Sequence, residues 1–352
     1  MPLTEELAAR IGANGPLTVA DYMAECLTHP RYGYYTTRDP LGQSGDFTTA
    51  PEISQMFGEL AGLFLAQCWI DLGSPIPFRL VELGPGRGTL MADLLRATAG
   101  VPGFHAGLDL HLVEASPVLR QRQQQTTGCA LTHHDSFDTV PDGPLFLIAN
   151  EFLDALPIRQ FQRDDEGWRE RVIGLRDKEL TLGLSAPLHP PFAEDRADDT
   201  RPGDIVEHCA AALSVAAAIG QRIAAFGGVA LIVDYGDWRS LGDTLQAVRD
   251  HGAVPVLEDP GSADLTAHVD FEALARAASP ALATRLTPQG VFLERLGITQ
   301  RAQSLARSLS GDALENHVAA HRRLTHPDEM GTLFKAMALH QKDSPLPPGF
   351  AP

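Results

Sequence analysis

The chain has 352 residues, 44% hydrophobic and 21% charged, which is an ordinary soluble globular composition with enough length for one large core or two modest ones. Its formal net charge of −17 repels phosphate backbones and anionic membranes, so nucleic-acid binding is disfavoured, whereas a protein partner presenting Arg or Lys suits it. No run of 18 or more apolar residues is present, so no membrane insertion is expected, and the opening MPLTEELAAR carries no apolar signal core, so a cytoplasmic location is expected.

The first 75 residues read as an N-terminal helical cap. Leu17 to Leu27 suits a helix with Thr18 at its N-cap. Tyr32, Tyr34 and Tyr35 follow and read as core packing ahead of a substrate cage. Pro51 and Glu52 suit the first turn of a helix that continues through Ile53, Met56, Phe57, Leu60, Leu63 and Phe64 and buries one face. The stretch Gly45–Glu52 is a candidate lid or a solvated loop. The cysteines Cys26, Cys68, Cys129 and Cys209 lack CxxC spacing, so neither zinc nor disulfides are expected, and Cys68 and Cys209 are expected to be buried thiols in a reducing compartment. The histidines show no H-E-x-x-H or other ligand spacing, and no metal is expected.

From residue 76 onward the pattern is an α/β, doubly wound, mostly parallel sheet. Expected strands are 79–83, 108–114, 130–133, 144–149 and 228–235, with helices over 89–98, 117–125 and 207–226. Strands apolar on both faces and separated by helices indicate a sheet covered on both sides. An insertion at about 158–205 breaks the rhythm. Its first part alternates apolar and polar residues with turn signals at 165–167 and near 177–178, which predicts an antiparallel β meander, and 186–204 reads as a Pro- and Asp-rich surface loop. The helix over 207–226 is apolar enough for a homodimer interface or for the core.

The sharpest signal is Val81-Glu82-Leu83-Gly84-Pro85-Gly86-Arg87-Gly88-Thr89, a strand ending in an acid followed by a Gly loop and a helix. Gly84, Gly86 and Gly88 permit a tight turn and close backbone approach to a ligand. The spacing is G-x-G-x-G, unlike the G-x-G-x-x-G of dinucleotide sites, and Glu82 would repel a pyrophosphate. A carboxylate there suits the amino group of a methionine moiety, which points to S-adenosylmethionine. Glu114 ends the neighbouring strand, where it is expected at the ribose. Asp135 follows the third strand and is the candidate for the adenine amino group.

Asn150-Glu151-Phe152-Leu153-Asp154 comes directly after the fourth strand, at the end of the sheet where ligands bind. Asn150 is grouped with the cofactor-binding residues. Glu151 and Asp154 are the candidate catalytic pair, since two carboxylates can hold a planar guanidinium by charge-assisted bonds. Competing readings remain: an S-adenosylmethionine-binding assembly chaperone of weak activity, a small-molecule methyltransferase, or a nicotinamide-dependent oxidoreductase, the last disfavoured by Glu82.

With those residues in place the chain resembles the MidA-like methyltransferases over nearly its whole length. The resemblance rests on GPLTVADYM at 15–23, GDFTTAPEISQMFGEL at 45–60, VELGPGRGTLMADLL at 81–95, HLVEASPVLR at 111–120, ANEFLDALPIRQF at 149–161, LIVDYG at 231–236, SADLTAHVDF at 262–271 and MGTLFKAMAL at 330–339. It implies a seven-stranded class I methyltransferase sheet and S-adenosylmethionine bound by Glu82, Gly84, Gly86, Gly88 and Glu114. The family's mitochondrial members are arginine methyltransferases that assist complex I assembly, which implies a protein arginine, in an NADH dehydrogenase subunit or its homologue, as acceptor.

Overall fold

A computed structural model describes residues 3–37 and 48–351. Helix α1 (Leu3–Asn14) leads to α2 (Val19–Thr28), whose start is fixed by the expected cap. The Thr18 hydroxyl accepts from the Asp21 N–H at 3.0 Å, while the Asp21 carboxylate accepts from the Thr18 N–H at 3.3 Å. The helix expected to run on from Pro51 is instead broken. Ala50–Ile53 forms a single turn, Ser54 is extended at φ −160°, and its hydroxyl caps a new helix, α3 (Gln55–Asp71), by accepting from the Met56 N–H at 3.2 Å. A residue that competes for backbone bonds with its own hydroxyl ends one helix and starts the next.

The central sheet is built from β1 (Phe78–Leu83), β2 (Leu108–Val113), β3 (Thr132–His134), β4 (Leu145–Asn150), β9 (Gly228–Asp237) and β12 (Phe334–His340), with strands β5 to β8 (within 159–208) inserted after β4 and β10 and β11 (within 246–266) following β9. Its order is β3-β2-β1-β4-β9-β12, closed at one edge by Leu282–Ala283. All neighbours from β3 to β9 are parallel, and β12 runs antiparallel to β9. Two-residue strands at Val269–Asp270 and Thr287–Pro288 pair alongside, so among the described residues the sheet has nine strands where seven were expected.

Helices α4 (Thr89–Thr98) and α5 (Pro117–Thr127) follow β1 and β2 as the sequence predicts. One face of the sheet packs on α3, where Phe57, Phe64 and Trp69 meet Phe78, Leu80 and Phe146. Leu63, expected on that buried face, points outward and is 46% exposed. The other face packs on α6 (Ala210–Phe226), whose Ala212, Ala216, Ile219 and Ile223 are buried against β-sheet residues such as Ile232 and Met337. A Cβ at Gly220 of α6 would sit 1.8 Å from the Ala278 carbonyl oxygen, so the apolar face of this helix is spent inside the chain. Cys209, at the N-cap of α6, is half-buried, not buried as expected.

The insertion forms β5 (Arg159–Asp164), β6 (Gly167–Arg176) and β7 (Glu179–Leu188) as a meander, and β8 (Ile205–His208) returns to pair with β5. Asp177 and Lys178 take left-handed φ values of 52° and 70° at the second turn, as a two-residue hairpin requires. Leu17–Thr18 adds antiparallel to β6, with Leu17 opposite Ile173. α1 and α2 therefore pack on the inserted sheet, through Leu7, Tyr22 and Met23 against Ile158 and Ile173, whereas α3 belongs to the central sheet. A small sheet centred on β10 (Gln246–Arg249), paired with β11 (Asp264–Thr266), joins the same cluster through Ala247 and Leu265. No described helix is long and apolar enough to cross a membrane.

Candidate active site

The strand order reverses between β1 and β4, and a crevice opens beyond the carboxyl ends of these strands, as expected for an open α/β sheet. A cavity of about 740 Å³ fills it, lined from the Gly loop and Glu114 at one end to Tyr35, Tyr235 and Asp264 at the other. Helix α2 contributes Ala24 and Leu27 to its wall, and α6 contributes Val215.

Gly84, Gly86 and Gly88 all adopt left-handed φ, at 63°, 52° and 82°. A Cβ on Gly84 would lie 2.7 Å from the Phe152 ring, and one on Gly88 would lie 3.2 Å from the Gln123 Cα. At these two positions the glycines make room for neighbouring protein as well as a tight turn. The loop thus leaves β1, turns, and presents the N-terminus of α4 to the cavity.

Glu82 is buried at the end of β1, and its Oε2 has no hydrogen-bond partner among the described residues. Burial, reinforced by the nearby Glu114, pushes its carboxyl up to about 8. Glu114 is more fully held: Oε1 accepts from the Ser116 N–H at 2.8 Å and Oε2 from the Gln123 amide at 3.2 Å. Burial raises it too. The same Gln123 amide donates to the Gly86 carbonyl at 2.7 Å, so one side chain ties the Gly loop to the acid that follows β2. Asp135 borders the cavity with an exposed side chain that ion-pairs with Arg120. Arg120 also donates to the Glu114 carbonyl, at 2.7 Å from Nε.

At the end of β4, Glu151 is held at the left-handed φ of 49°, which is costly for a residue with a Cβ and which the surrounding bonds must enforce. Its N–H donates to the Val233 carbonyl at 2.9 Å, and its Oε1 accepts from the Ala50 N–H at 2.8 Å and the Asn150 amide at 3.1 Å. Burial pushes the carboxyl up to about 7 despite those donors. Asn150 Oδ1 is buried without a partner among the described residues.

Asp154 is buried, and its Oδ1 likewise lacks a hydrogen-bond partner among the described residues. Burial first, then Asp234, Asp264 and Glu151, hold its pKa well above the carboxylate range. Asp234, on β9, accepts from the N–H groups of Phe152, Leu153 and Asp154 at 3.2, 2.9 and 3.3 Å and from that of Tyr235 at 3.0 Å. Burial raises its pKa, with Glu151 adding to the effect. Asp264, on β11, accepts from the Tyr35 hydroxyl at 2.7 Å.

The sequence-derived residues, Gly88 excepted, line one cavity; Gly88 packs against Gln123 instead. Sequence reasoning passed over Asp234, Asp264 and Gln123, and it read Tyr35, which lines the cavity, as core packing ahead of a substrate cage. Asp234 and Asp264 each stand in an apolar stretch, LIVDYG and SADLTA, where an acid is conspicuous; Gln123 carries no such signal. Of the candidate lid, Gly45, Asp46 and Phe47 lie outside the described residues. Thr49, Pro51 and Glu52 line the cavity, and Glu52 accepts from the Thr89 hydroxyl at 2.6 Å beside Arg87 at 3.8 Å.

A Gly loop at the switch point, a buried acid with an unfilled acceptor beside it, and a second acid directly after β2 define the site of a Rossmann-like methyltransferase. Glu82 fits the amino group of S-adenosylmethionine because an ammonium would fill its orphaned oxygen, and Glu114 adds a second acceptor at the cavity, held in place by Ser116 and Gln123. Residues 60–289 match the family model described as "Putative S-adenosyl-L-methionine-dependent methyltransferase", and the chain belongs to that family. It is an S-adenosylmethionine-dependent methyltransferase. Among curated relatives, the protein arginine methyltransferase NDUFAF7, mitochondrial, of Xenopus laevis is 38% identical, with 95% of this chain and 83% of the relative covered. The human protein of that name is 37% identical, with 97% and 84% covered. Among solved structures, a likely methyl transferase from Burkholderia thailandensis bound to S-adenosyl-homocysteine superposes with a TM-score of 0.83 at 28% identity, covering 96% of this chain and 92% of that one. The cytoplasmic location expected from the sequence is corrected by the curated relatives, which are named as mitochondrial. A soluble, acidic composition does not distinguish one aqueous compartment from another.

Proposed function

We propose that the enzyme methylates an arginine side chain of a protein substrate. The observation that carries this is the Asp154 carboxylate, buried at the cavity wall with an unfilled oxygen and flanked by Glu151. The names of the curated relatives support it. The resemblance to MidA-like proteins puts an NADH dehydrogenase subunit, or its homologue, first among substrates to try.

When bound, S-adenosylmethionine supplies a methyl on a sulfonium sulfur, which keeps the electron pair as an acceptor nitrogen bonds the carbon. Glu82, the Gly84–Gly88 loop, Glu114, Asn150 and Asp135 are assigned to holding it. Glu151 and Asp154 are assigned to the acceptor: they hold the guanidinium through charge-assisted bonds and leave one nitrogen facing the cavity. Methylation removes one N–H proton, and a carboxylate tuned to about 7, as Glu151 is, matches a base working near neutral pH. Ala24 and Leu27 of α2 and Val215 of α6 give the cavity an apolar wall, and apolar surroundings strengthen these contacts.

The test is a labelled methyl-transfer assay on a peptide carrying one arginine and on its lysine counterpart, with methylated residues identified by mass spectrometry. Label on the arginine peptide alone is expected. Label on neither peptide, with S-adenosylhomocysteine still bound, would discard the arginine acceptor.

A further inference from the structure

Resting on the assignment of Glu114 and the Gly loop to the cofactor, we propose that His133 is a positioning residue for S-adenosylmethionine. Its Nε2–H holds the Gln123 side-chain carbonyl, and this keeps the Gln123 amide N–H groups on the Gly86 carbonyl and the Glu114 carboxylate.

Gln123 is fully buried on α5, close under the Gly loop. A Cβ on Gly88 would lie 3.2 Å from its Cα, so the bare glycine lets the helix reach the loop. Gln123 Nε2 lies 2.7 Å from the Gly86 carbonyl oxygen and 3.2 Å from Glu114 Oε2. A backbone carbonyl cannot donate, so the end of the side chain that faces Gly86 is the NH2 group, and Oε1 faces the other way. There it meets His133 Nε2 at 2.9 Å. An amide oxygen only accepts, so that ring nitrogen carries the proton. Burial, then Arg120 and His134, hold the pKa of His133 below its usual value, and a neutral imidazole has one N–H to give. His133 spends it on Gln123.

Strand alternation puts the ring there. His133 and His134 are consecutive on β3 and point to opposite faces. His134 turns to His111 at 3.0 Å and to Thr139 at 2.8 Å, whereas His133 turns to α5. The main chain of β3 reaches the same acid, because the Glu114 N–H donates to the His134 carbonyl at 3.0 Å. β3 thus holds Glu114 twice, once through its backbone and once through His133 and Gln123. Without the His133 donor, the Gln123 oxygen would lose its bond while buried. The side chain could seek another donor only by leaving Gly86 and Glu114, and either course costs binding.

Calorimetry with S-adenosylhomocysteine tests this on His133→Phe, His133→Gln, Gln123→Leu, and His133→Phe combined with Gln123→Leu, with Glu114→Gln as the reference for the underlying assignment. His133→Phe keeps a ring without a donor and is expected to weaken binding about 10-fold. His133→Gln offers an amide N–H in its place and should stay within about 3-fold of the wild type. Gln123→Leu is expected to weaken binding about 30-fold, and adding His133→Phe to it should cost nothing more, because His133 acts through Gln123. Nitrogen NMR of the wild-type histidine rings should show neutral His133 with its proton on Nε2. Wild-type affinity in His133→Phe, no rescue by His133→Gln, or a further loss of the same size on the Gln123→Leu background overturns this proposal alone, provided that Glu114→Gln binds weakly. Should His133→Phe fail to fold, the tautomer decides, and a proton on Nδ1 overturns the proposal. Glu114→Gln with wild-type affinity overturns the cofactor assignment of that acid and this proposal together.

Discussion

The carboxylate of Asp234 accepts from the backbone N–H of Asp154 at 3.3 Å, so one acid fixes the main chain of another whose own side chain faces the cavity. Asp234 also receives the N–H groups of Phe152, Leu153 and Tyr235. Asp234→Ala would leave four buried donors without their acceptor, which is expected to lower stability by about 3 kcal/mol. Asp234→Asn keeps one carbonyl-type oxygen and is expected to lose about 1 kcal/mol. Urea denaturation followed by circular dichroism separates the two. Equal midpoints for Asp234→Ala and wild type would mean that the turn holds itself.

Glu82 sets a pH dependence of opposite sign for stability and for binding. Its folded pKa of about 8 lies above the ordinary carboxylate value, so the folded protein retains a proton that the unfolded chain has lost. Stability from this group is therefore full at acid pH and lost as pH rises toward 8. An ammonium ligand, in contrast, needs the carboxylate, so affinity for S-adenosylhomocysteine should fall as pH drops below 8, with proton release on binding. Glu82→Gln is expected to melt higher than wild type at pH 9 without ligand and to bind about 10- to 100-fold more weakly. Calorimetry in two buffers of different ionisation enthalpy reads the proton. Buffer-independent enthalpies below pH 8 would contradict the assignment.

The glycine loop gives a third prediction. Ala at Gly84 must adopt φ near 63° and place its Cβ 2.7 Å from Phe152. The first cost, about 1 kcal/mol, is intrinsic to any L-residue with a Cβ. The second depends on the ring. Gly84→Ala is expected to weaken S-adenosylhomocysteine binding about tenfold and to lower the melting temperature. On the Phe152→Ala background the clash is gone but the backbone strain remains, so Gly84→Ala should lower the melting temperature less there than in the wild type. Full additivity of the two substitutions would show that the ring and loop do not press on each other.

The parallel sheet was legible because β4 and β9 open as continuous apolar runs and β1 is apolar but for Arg79 and Glu82, and such runs have few alternatives once helices separate them. The break at Ser54 was not legible, because the apolar spacing runs straight through it and only a hydroxyl choosing its own backbone partner interrupts the helix. Local motifs likewise exposed Glu82, Glu114 and the 150–154 segment. Tyr35 and Asp264 stand 229 residues apart, and no period or motif joins them; their meeting depends on β11 docking beside the turn at Asp154. Asp234 was visible as an acid closing an apolar strand, but its task, receiving a row of N–H groups from the neighbouring loop, exists only in three dimensions.

The last prediction concerns the pH–rate profile. Glu151 sits at about 7 and Asp154 well above its usual range, both raised chiefly by burial. A cationic acceptor requires them ionised, so kcat/KM for the arginine peptide should rise with pH through about 7 and fall off on the acid side. The two acids are neighbours, and the profile belongs to the pair more than to either alone. Glu151→Gln keeps an oxygen for the Ala50 N–H, so the turn should survive while one ionisation disappears. The expected result is a drop of about 100-fold in kcat/KM at pH 8 and a displaced acid limb, because the remaining carboxylate no longer repels a charged neighbour. Asp154→Asn should cost at least as much, having no competing structural donor to its Oδ1. If Glu151→Gln retains wild-type turnover and the same acid limb, Glu151 serves the fold through Ala50 and Asn150, and Asp154 must act on the acceptor without it.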